Sequence, residues 1–356
     1  MAKALVTGGA GFMGSHLVDY LVDEMKFDVV VIDDLSGGFT ENVNPKAAFV
    51  EGSILDHDLV NSLFGAHRFD YVYHLAAYAA EGLSHFIKRF NYLNNLIGSV
   101  NLINASVNHG TRCFVFTSSI AVYGTNQVPL SEDLVPMPED SYGIAKLAVE
   151  MELKVSHELF GLNYVIFRPH NVYGERQNIG DKYRNVIGIF MNRLMQDKEL
   201  IVFGDGEQRR AFTYVKDIIP CIARSVVTPS ALNRTFNTGA DTHCSVNELA
   251  NMVTQSMGVP GRVRHVEERK EVKIAYSDHS RLREVFGEAD NVPLQEGLQL
   301  MAAWAKVAGA KRSKDFASIE IQRSVPPAWL PGRQSVTVAG STASPIRDMN
   351  SRRGTR

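Results

Sequence analysis

Three cysteines in 356 residues, Cys113, Cys221 and Cys244, are too few and too scattered for a disulfide framework, and their spacing fits no metal site. So few thiols suit a reducing compartment, and a cytoplasmic location is expected. Charge is close to balanced, at a formal −2, so no overall field draws the chain to nucleic acid or to an anionic membrane. No apolar run approaches the ~18 residues that span a bilayer. The opening MAKALVTGGAGFMG lacks a basic stretch, a long apolar core and a cleavage site, so no signal peptide is expected. Internal repeats are missing as well. The rest is ordinary globular composition, 45% hydrophobic and 21% charged, with length for one large domain or two coupled ones.

The first half alternates short apolar runs with amphipathic stretches. KALVTGG, DVVVIDD, DYVYHLAA, RCFVFTSS and NYVIFRP read as strands, and their near-continuous apolar content predicts burial on both faces. GSHLVDYLVDEM and NNLIGSVNLINASVNHG between them read as helices. This order predicts an α/β fold with a doubly wound parallel sheet. Beyond residue 170 the pattern loosens, although NVIGIFMNRLMQD and VNELANMVTQSM remain helical in period. The expected organisation is a dinucleotide-binding domain over 1–169 and a smaller substrate-binding region over 170–330, partly interleaved with it. From 331 to 356 the chain is rich in Ser, Thr, Gly and Arg, and a disordered tail is expected there.

TGGAGFMG, residues 7–14, follows the first strand and opens a helix. Gly8 permits the tight turn. Gly11 lets the backbone approach a pyrophosphate seated on the helix N-terminal amides, and Gly14 lets the helix pack close to the sheet. The second strand ends at Asp33 and Asp34, where an acid would bind ribose hydroxyls and repel a 2′-phosphate. LSGGFTEN beyond it holds no arginine, which favours NAD over NADP. Ser53 and Ile54 follow the third strand, at the adenine edge. Leu75, Ala76 and Ala77 end the fourth with small side chains where a dinucleotide passes.

TGGAGFMG, HLAA, TSSIAVYG, YGIAK, and RPHNVYG followed by GDGEQRRAF come in one order over residues 3–330. By them the chain resembles the extended short-chain dehydrogenase/reductase family, in its nucleotide-sugar epimerase branch. The resemblance implies a Rossmann-type fold, a tightly bound NAD regenerated in each cycle, a UDP-sugar substrate and a homodimer. The implied dimer interface combines the SYGIAKLAVEMEL and NNLIGSVNLINA helices. Phe12, Met13 and Asn94 join the implied cofactor contacts. Tyr142 and Lys146 stand at i and i+4 and reach the same side of a helix. The family assigns Tyr142 as the base, with Lys146 on the nicotinamide ribose and Ser119, rather than Ser118 or Thr117, on the sugar hydroxyl. A free phenol with pKa ~10 is a poor base; the ammonium and a cationic nicotinamide are expected to lower it.

Dehydratases of the family carry an Asp-Glu pair, and decarboxylases usually a Glu, where this chain has Ile120 and Ala121. The resemblance therefore implies epimerisation of a UDP-sugar at C4 through a transient 4-keto intermediate, of the glucose/galactose or the glucuronate/galacturonate type. The alternatives are a nucleotide-sugar dehydrogenase/reductase or decarboxylase with the same triad, and a non-catalytic NAD-sensing regulator. Asn171 and Arg210 match substrate-phosphate contacts, with Arg209 as a surface neighbour. Arg269 matches with a one-residue ambiguity. Ser53 replaces an Asp common in relatives, and His170 replaces a large aromatic, with packing its expected role. Glu81, in YAAEGLSHF, is expected to line the sugar pocket. Arg176, Lys182 and Arg184 are candidates for a uronate or a diphosphate.

Overall fold

Strands that are apolar along their whole length need cover on both faces. The computed structural model describes residues 1–268, 272–288, 290–313, 315–326 and 329; Arg269 and the segment from 331 lie outside them. Six strands alternate with helices up to residue 169: β1 (Lys3–Thr7), β2 (Asp28–Asp33), β3 (Ala48–Glu51), β4 (Tyr71–His74), β5 (Cys113–Thr117) and β6 (Asn163–Pro169). A seventh, β7 (Arg234–Thr238), comes from far beyond the expected boundary. All pair in parallel, in the order β7-β6-β5-β4-β1-β2-β3. Strands β2 and β3 lie to one side of β1 and β4 to the other. The order therefore reverses at β1, and the crevice at the carboxyl ends there is where such folds bind ligands.

The helices that matter below are α1 (Phe12–Asp23), α2 (His57–His67), α3 (Gly98–Asn108), α4 (Ser141–Phe160), α5 (Val186–Leu194), α6 (Val215–Arg224), α7 (Val246–Met257) and α8 (Leu294–Ala308). Strand alternation divides them. Ala4, Val6, Val29, Val31, Val165 and Phe167 face α1 and α6, while Leu5, Val30, Ile32, Phe114 and Ile166 face α2, α3 and α4. On the first face the apolar cluster continues without a break into α5, α7 and α8. Leu17, Val18 and Leu21 of α1 are fully buried, each worth roughly 1.5–3 kcal/mol.

Helix α4 positions the Tyr-Lys pair, and local signals set its ends. Asp140 caps it, accepting from Gly143 N at 2.8 Å, and Gly161 closes it in the left-handed conformation at φ 73°. Inside, a buried ion pair joins α4 to β6. Arg168 Nε donates to Glu150 Oε1 at 2.9 Å and Ser118 Oγ donates to the same oxygen at 2.6 Å. Arg168 Nη1 donates to Tyr123 Oη at 2.7 Å, which donates in turn to Asn237 Oδ1 of β7. Every member is hydrogen-bonded, which is what permits such a pair to be buried.

Beyond β6 the elements are short. Val172–Tyr173 pairs in parallel with Thr213–Tyr214. Arg209–Ala211 runs between His243–Ser245 and Ile274–Ala275. Among the described residues no helix is long and apolar enough to cross a membrane.

Candidate active site

The glycine turn is moulded by close approach. Gly8 has φ +73°, and a Cβ on it would lie 2.8 Å from Ala76 N. A Cβ on Gly14 would lie 2.1 Å from Gly8 O, so no other residue fits without moving the turn. Gly11 caps α1 with no side-chain bond, leaving Phe12 and Met13 to present backbone amides at the helix start. Asp33 stands 8% exposed at the end of β2. Its Oδ2 accepts from Ala10 N at 3.0 Å and its Oδ1 from Leu35 N at 2.9 Å. Burial raises its pKa against these bonds. Asp33 thus braces the glycine turn and keeps lone pairs for a ribose. Asp34 is exposed and accepts from Ser36 N at 2.9 Å.

His74 is buried between Thr7 Oγ1 at 2.7 Å and Ser99 Oγ at 2.8 Å, and Ala76 N donates to Thr7 Oγ1 at 3.2 Å. These bonds shape the β4 loop that carries Leu75, Ala76 and Ala77. Ser53 Oγ accepts from Leu55 N at 3.2 Å, and Ile54 is buried against Gly98. Asn94 donates to Phe90 O at 2.9 Å, on its own helical segment. The neighbouring Asn95 is the buried residue, accepting from Tyr78 N at 2.8 Å and donating to Tyr78 O at 3.1 Å. A π-helical turn over Leu93–Ile97 sets this phase.

Tyr142, Lys146 and Ser119 converge at the carboxyl ends of β4 and β5, and all are buried. Lys146 Nζ donates to Thr117 O at 2.8 Å and lies 5.6 Å from the Tyr142 ring centre. The Ser119 hydroxyl favours the ionised form of the Tyr142 phenol, and Ser119 Oγ accepts from Ala121 N at 3.1 Å. Ser84 Oγ, which sequence reading passed over as a support, accepts from Tyr142 N at 3.2 Å and donates to Glu81 O at 2.6 Å. That bond ties the YAAEGLSHF loop to the start of α4. Glu81 is exposed, yet its charge reaches Tyr142.

The expected acidic phenol does not hold for the protein alone. Burial pushes the Tyr142 pKa above its ordinary value; Glu81 and Asp140 add to the rise, and Ser119 and Arg184 oppose it. Burial also brings Lys146 down to about 7, with Glu150 opposing, so its ammonium is a weaker resource than i, i+4 spacing implies. Counting charges omitted the desolvation of both groups.

On the far wall, two motifs some 40 residues apart in sequence meet. Asn171, at φ 43°, donates from Nδ2 to Ala211 O at 3.0 Å, and Thr213 N donates to Asn171 O at 3.2 Å. Arg210 sits on the middle strand next door and donates from Nη1 to Arg209 O at 2.9 Å and Lys273 O at 3.0 Å, and from Nη2 to Val272 O. Arg209 turns away to His243 at 3.1 Å and Glu248 at 3.3 Å. His170 packs, as expected: it is 1% exposed, with Nε2 3.0 Å from His279 Nε2, and burial brings its pKa down to about 3.

The donors present fit a dinucleotide: a turn that only glycine can form, uncapped helix amides, a braced carboxylate and a lysine beside a phenol. Fold and site together define a nucleotide-dependent α/β enzyme scaffold. Residues 4–239 match the NAD dependent epimerase/dehydratase family, and the chain belongs to it. It is 34% identical over 304 residues to the UDP-glucose 4-epimerase of Mycolicibacterium smegmatis, covering 83% of this chain and 96% of that one. The structure of UDP-glucose 4-epimerase from Thermotoga maritima with UDP-glucose superposes with a TM-score of 0.82 at 35% identity, over 86% of this chain and 99% of that one. UDP-glucuronic acid 4-epimerase from Bacillus cereus, in complex with UDP-glucuronic acid and NAD, gives 0.79 at 30% identity, over 86% and 99%.

Proposed function

We propose that the chain epimerises a UDP-sugar at C4, with Tyr142 as general base and acid. The observation that carries this reading is the convergence of Tyr142, Ser119 and Lys146 beside the glycine crevice, with Ile120 and Ala121 where elimination or decarboxylation would need acids. NAD, when bound, supplies the hydride acceptor at C4 and one positive charge beside the phenol. Gly8, Gly11 and Gly14, the Phe12 and Met13 amides, Asp33 and Lys146 would hold it. Ser119 orients the C4 hydroxyl, and Tyr142 removes its proton and later returns it. Asn171 and Arg210 grip the nucleotide diphosphate, while the loosely held sugar turns over between the two proton transfers. Glu81 contributes charge at the sugar end of the cleft.

Two copies pair, in the same reading, through α3 and α4. Ile144, Met151, Val155 and Leu159 form an apolar stripe on α4, 43%, 59%, 46% and 69% exposed, which monomeric helices rarely present to water. Light scattering should return twice the chain mass.

Incubation with UDP-glucose, UDP-N-acetylglucosamine and UDP-glucuronate, followed by NMR of the anomeric protons, tests the reaction. One of the three should reach equilibrium with its C4 epimer without accumulating NADH absorbance. Stoichiometric NADH would instead establish a dehydrogenase.

A further inference from the structure

Three cations lie in the stretch that follows the Asn171 motif, and two are turned elsewhere. Arg176 Nη1 pairs with Asp19 Oδ2 at 2.7 Å, and Lys182 Nζ with Asp315 Oδ1 at 2.6 Å. Arg184 is placed differently. Its guanidinium lies against Gly37, where a Cβ would meet Nη2 at 3.1 Å and Nη1 at 3.4 Å. The same group lies 4.6 Å from the centre of the Tyr78 ring. Its Nε is 3.0 Å from Asp181 Oδ2, out of line for a hydrogen bond, and its side chain is 24% exposed.

Gly37 belongs to the loop after β2 and Tyr78 to the loop after β4. In the sheet β1 lies between those strands, so these two loops flank the glycine turn. A guanidinium touching both spans that turn from above. Arg184 itself comes from the opposite wall, one residue before Asn185 caps α5. Its charge is felt at Tyr142, which places it along the crevice and not outside it. A planar, partly desolvated guanidinium beside a glycine turn and a helix N-terminus is matched to a diphosphate.

We infer that Arg184 is a latch from the substrate region that crosses the glycine turn and grips the diphosphate of the dinucleotide. The inference rests on the reading of that crevice as the NAD site. It makes retention of the cofactor depend on a residue outside the nucleotide-binding half. The same cation suits the carboxylate of a uronate sugar, but its contacts with the β2 and β4 loops favour the cofactor.

The test compares wild type, Arg184→Gln and Arg184→Lys, with Arg176→Gln as control, each stripped of bound NAD, by calorimetry with ADP-ribose and by protein NMR shifts with adenosine. Arg184→Gln should weaken ADP-ribose roughly ten- to hundredfold and leave adenosine unchanged. Arg184→Lys should lose only part of that, and Arg176→Gln should match wild type. Arg184→Gln should also purify with less NAD per chain, measured by absorbance after denaturation. Equal weakening of adenosine would make the effect structural and overturn the latch. So would unchanged ADP-ribose binding, or a loss confined to UDP-glucuronate against UDP-glucose. A wild-type chain that purifies without NAD and binds neither ADP-ribose nor adenosine would remove the NAD reading, and the latch with it.

Discussion

The two walls of the cleft are built by different means. The wall around β1, β2 and β4 is a backbone mould: Gly8 and Gly14 leave no room for a side chain, and Asp33 is fastened to the turn it braces. The opposite wall is built of polar side chains, Arg210 and Asn171, which rest on backbone carbonyls of short strands and the turns beside them. A mould tolerates almost no substitution but needs no ordering on binding. Side chains can be replaced without collapse, yet each gives up rotamer freedom when it grips. The difference predicts separable losses.

The largest expected effect belongs to neither wall. Tyr142→Phe should lower turnover by about 10²–10⁴, the span of general acid–base catalysis, with ADP-ribose and UDP binding intact by calorimetry. If either affinity falls with turnover, the phenol belongs to a wall after all. Gly14→Ala comes next. Its Cβ would overlap Gly8 O, and overpacking of that kind costs about 1–3 kcal/mol. ADP-ribose affinity should fall roughly ten- to hundredfold and UDP affinity should hold. Arg210→Ala should reverse the pattern, weakening UDP roughly tenfold in a salt-dependent way and sparing ADP-ribose. A variant that weakens both ligands alike would abolish the distinction between the walls.

The most gradual effect concerns pH. Lys146 has a folded pKa of about 7 against roughly 10.4 unfolded. Between these values the unfolded chain holds the extra proton, so stability should rise with pH, by at most about 1.4 kcal/mol per unit. The cost of burying the ammonium is fully present below pH 7 and gone above pH 10. Lys146→Met should remove the slope, read from guanidinium midpoints at pH 6, 8 and 10. Equal slopes in the two proteins would show that burial does not govern this lysine.

What could be read in advance follows the same division. Glycines demanded by close backbone approach, and an acid at a strand end, depend on a few consecutive residues. The turn, the crevice, the Tyr-Lys helix and six of the seven sheet strands were therefore legible. Strand β7 was not: RTFNT has one large apolar residue, Phe236, and becomes a strand because β6 offers it an open edge. The two- and three-residue strands around Arg210 carry too little pattern to announce themselves. Tyr142 was expected to be acidic because charges are visible in a sequence and desolvation is not. Arg184 fell among three equivalent cations, since only the packing of distant loops sets it apart.

Strand β7 has a mechanical consequence. It is threaded from the portion beyond residue 170 into the ladder of the portion before it, joined to β6 along five residue pairs. The two portions therefore cannot swing like the jaws of a hinge about residue 170 without tearing that ladder. Opening and closing around a substrate must be carried by loops and side chains moving over a fixed frame.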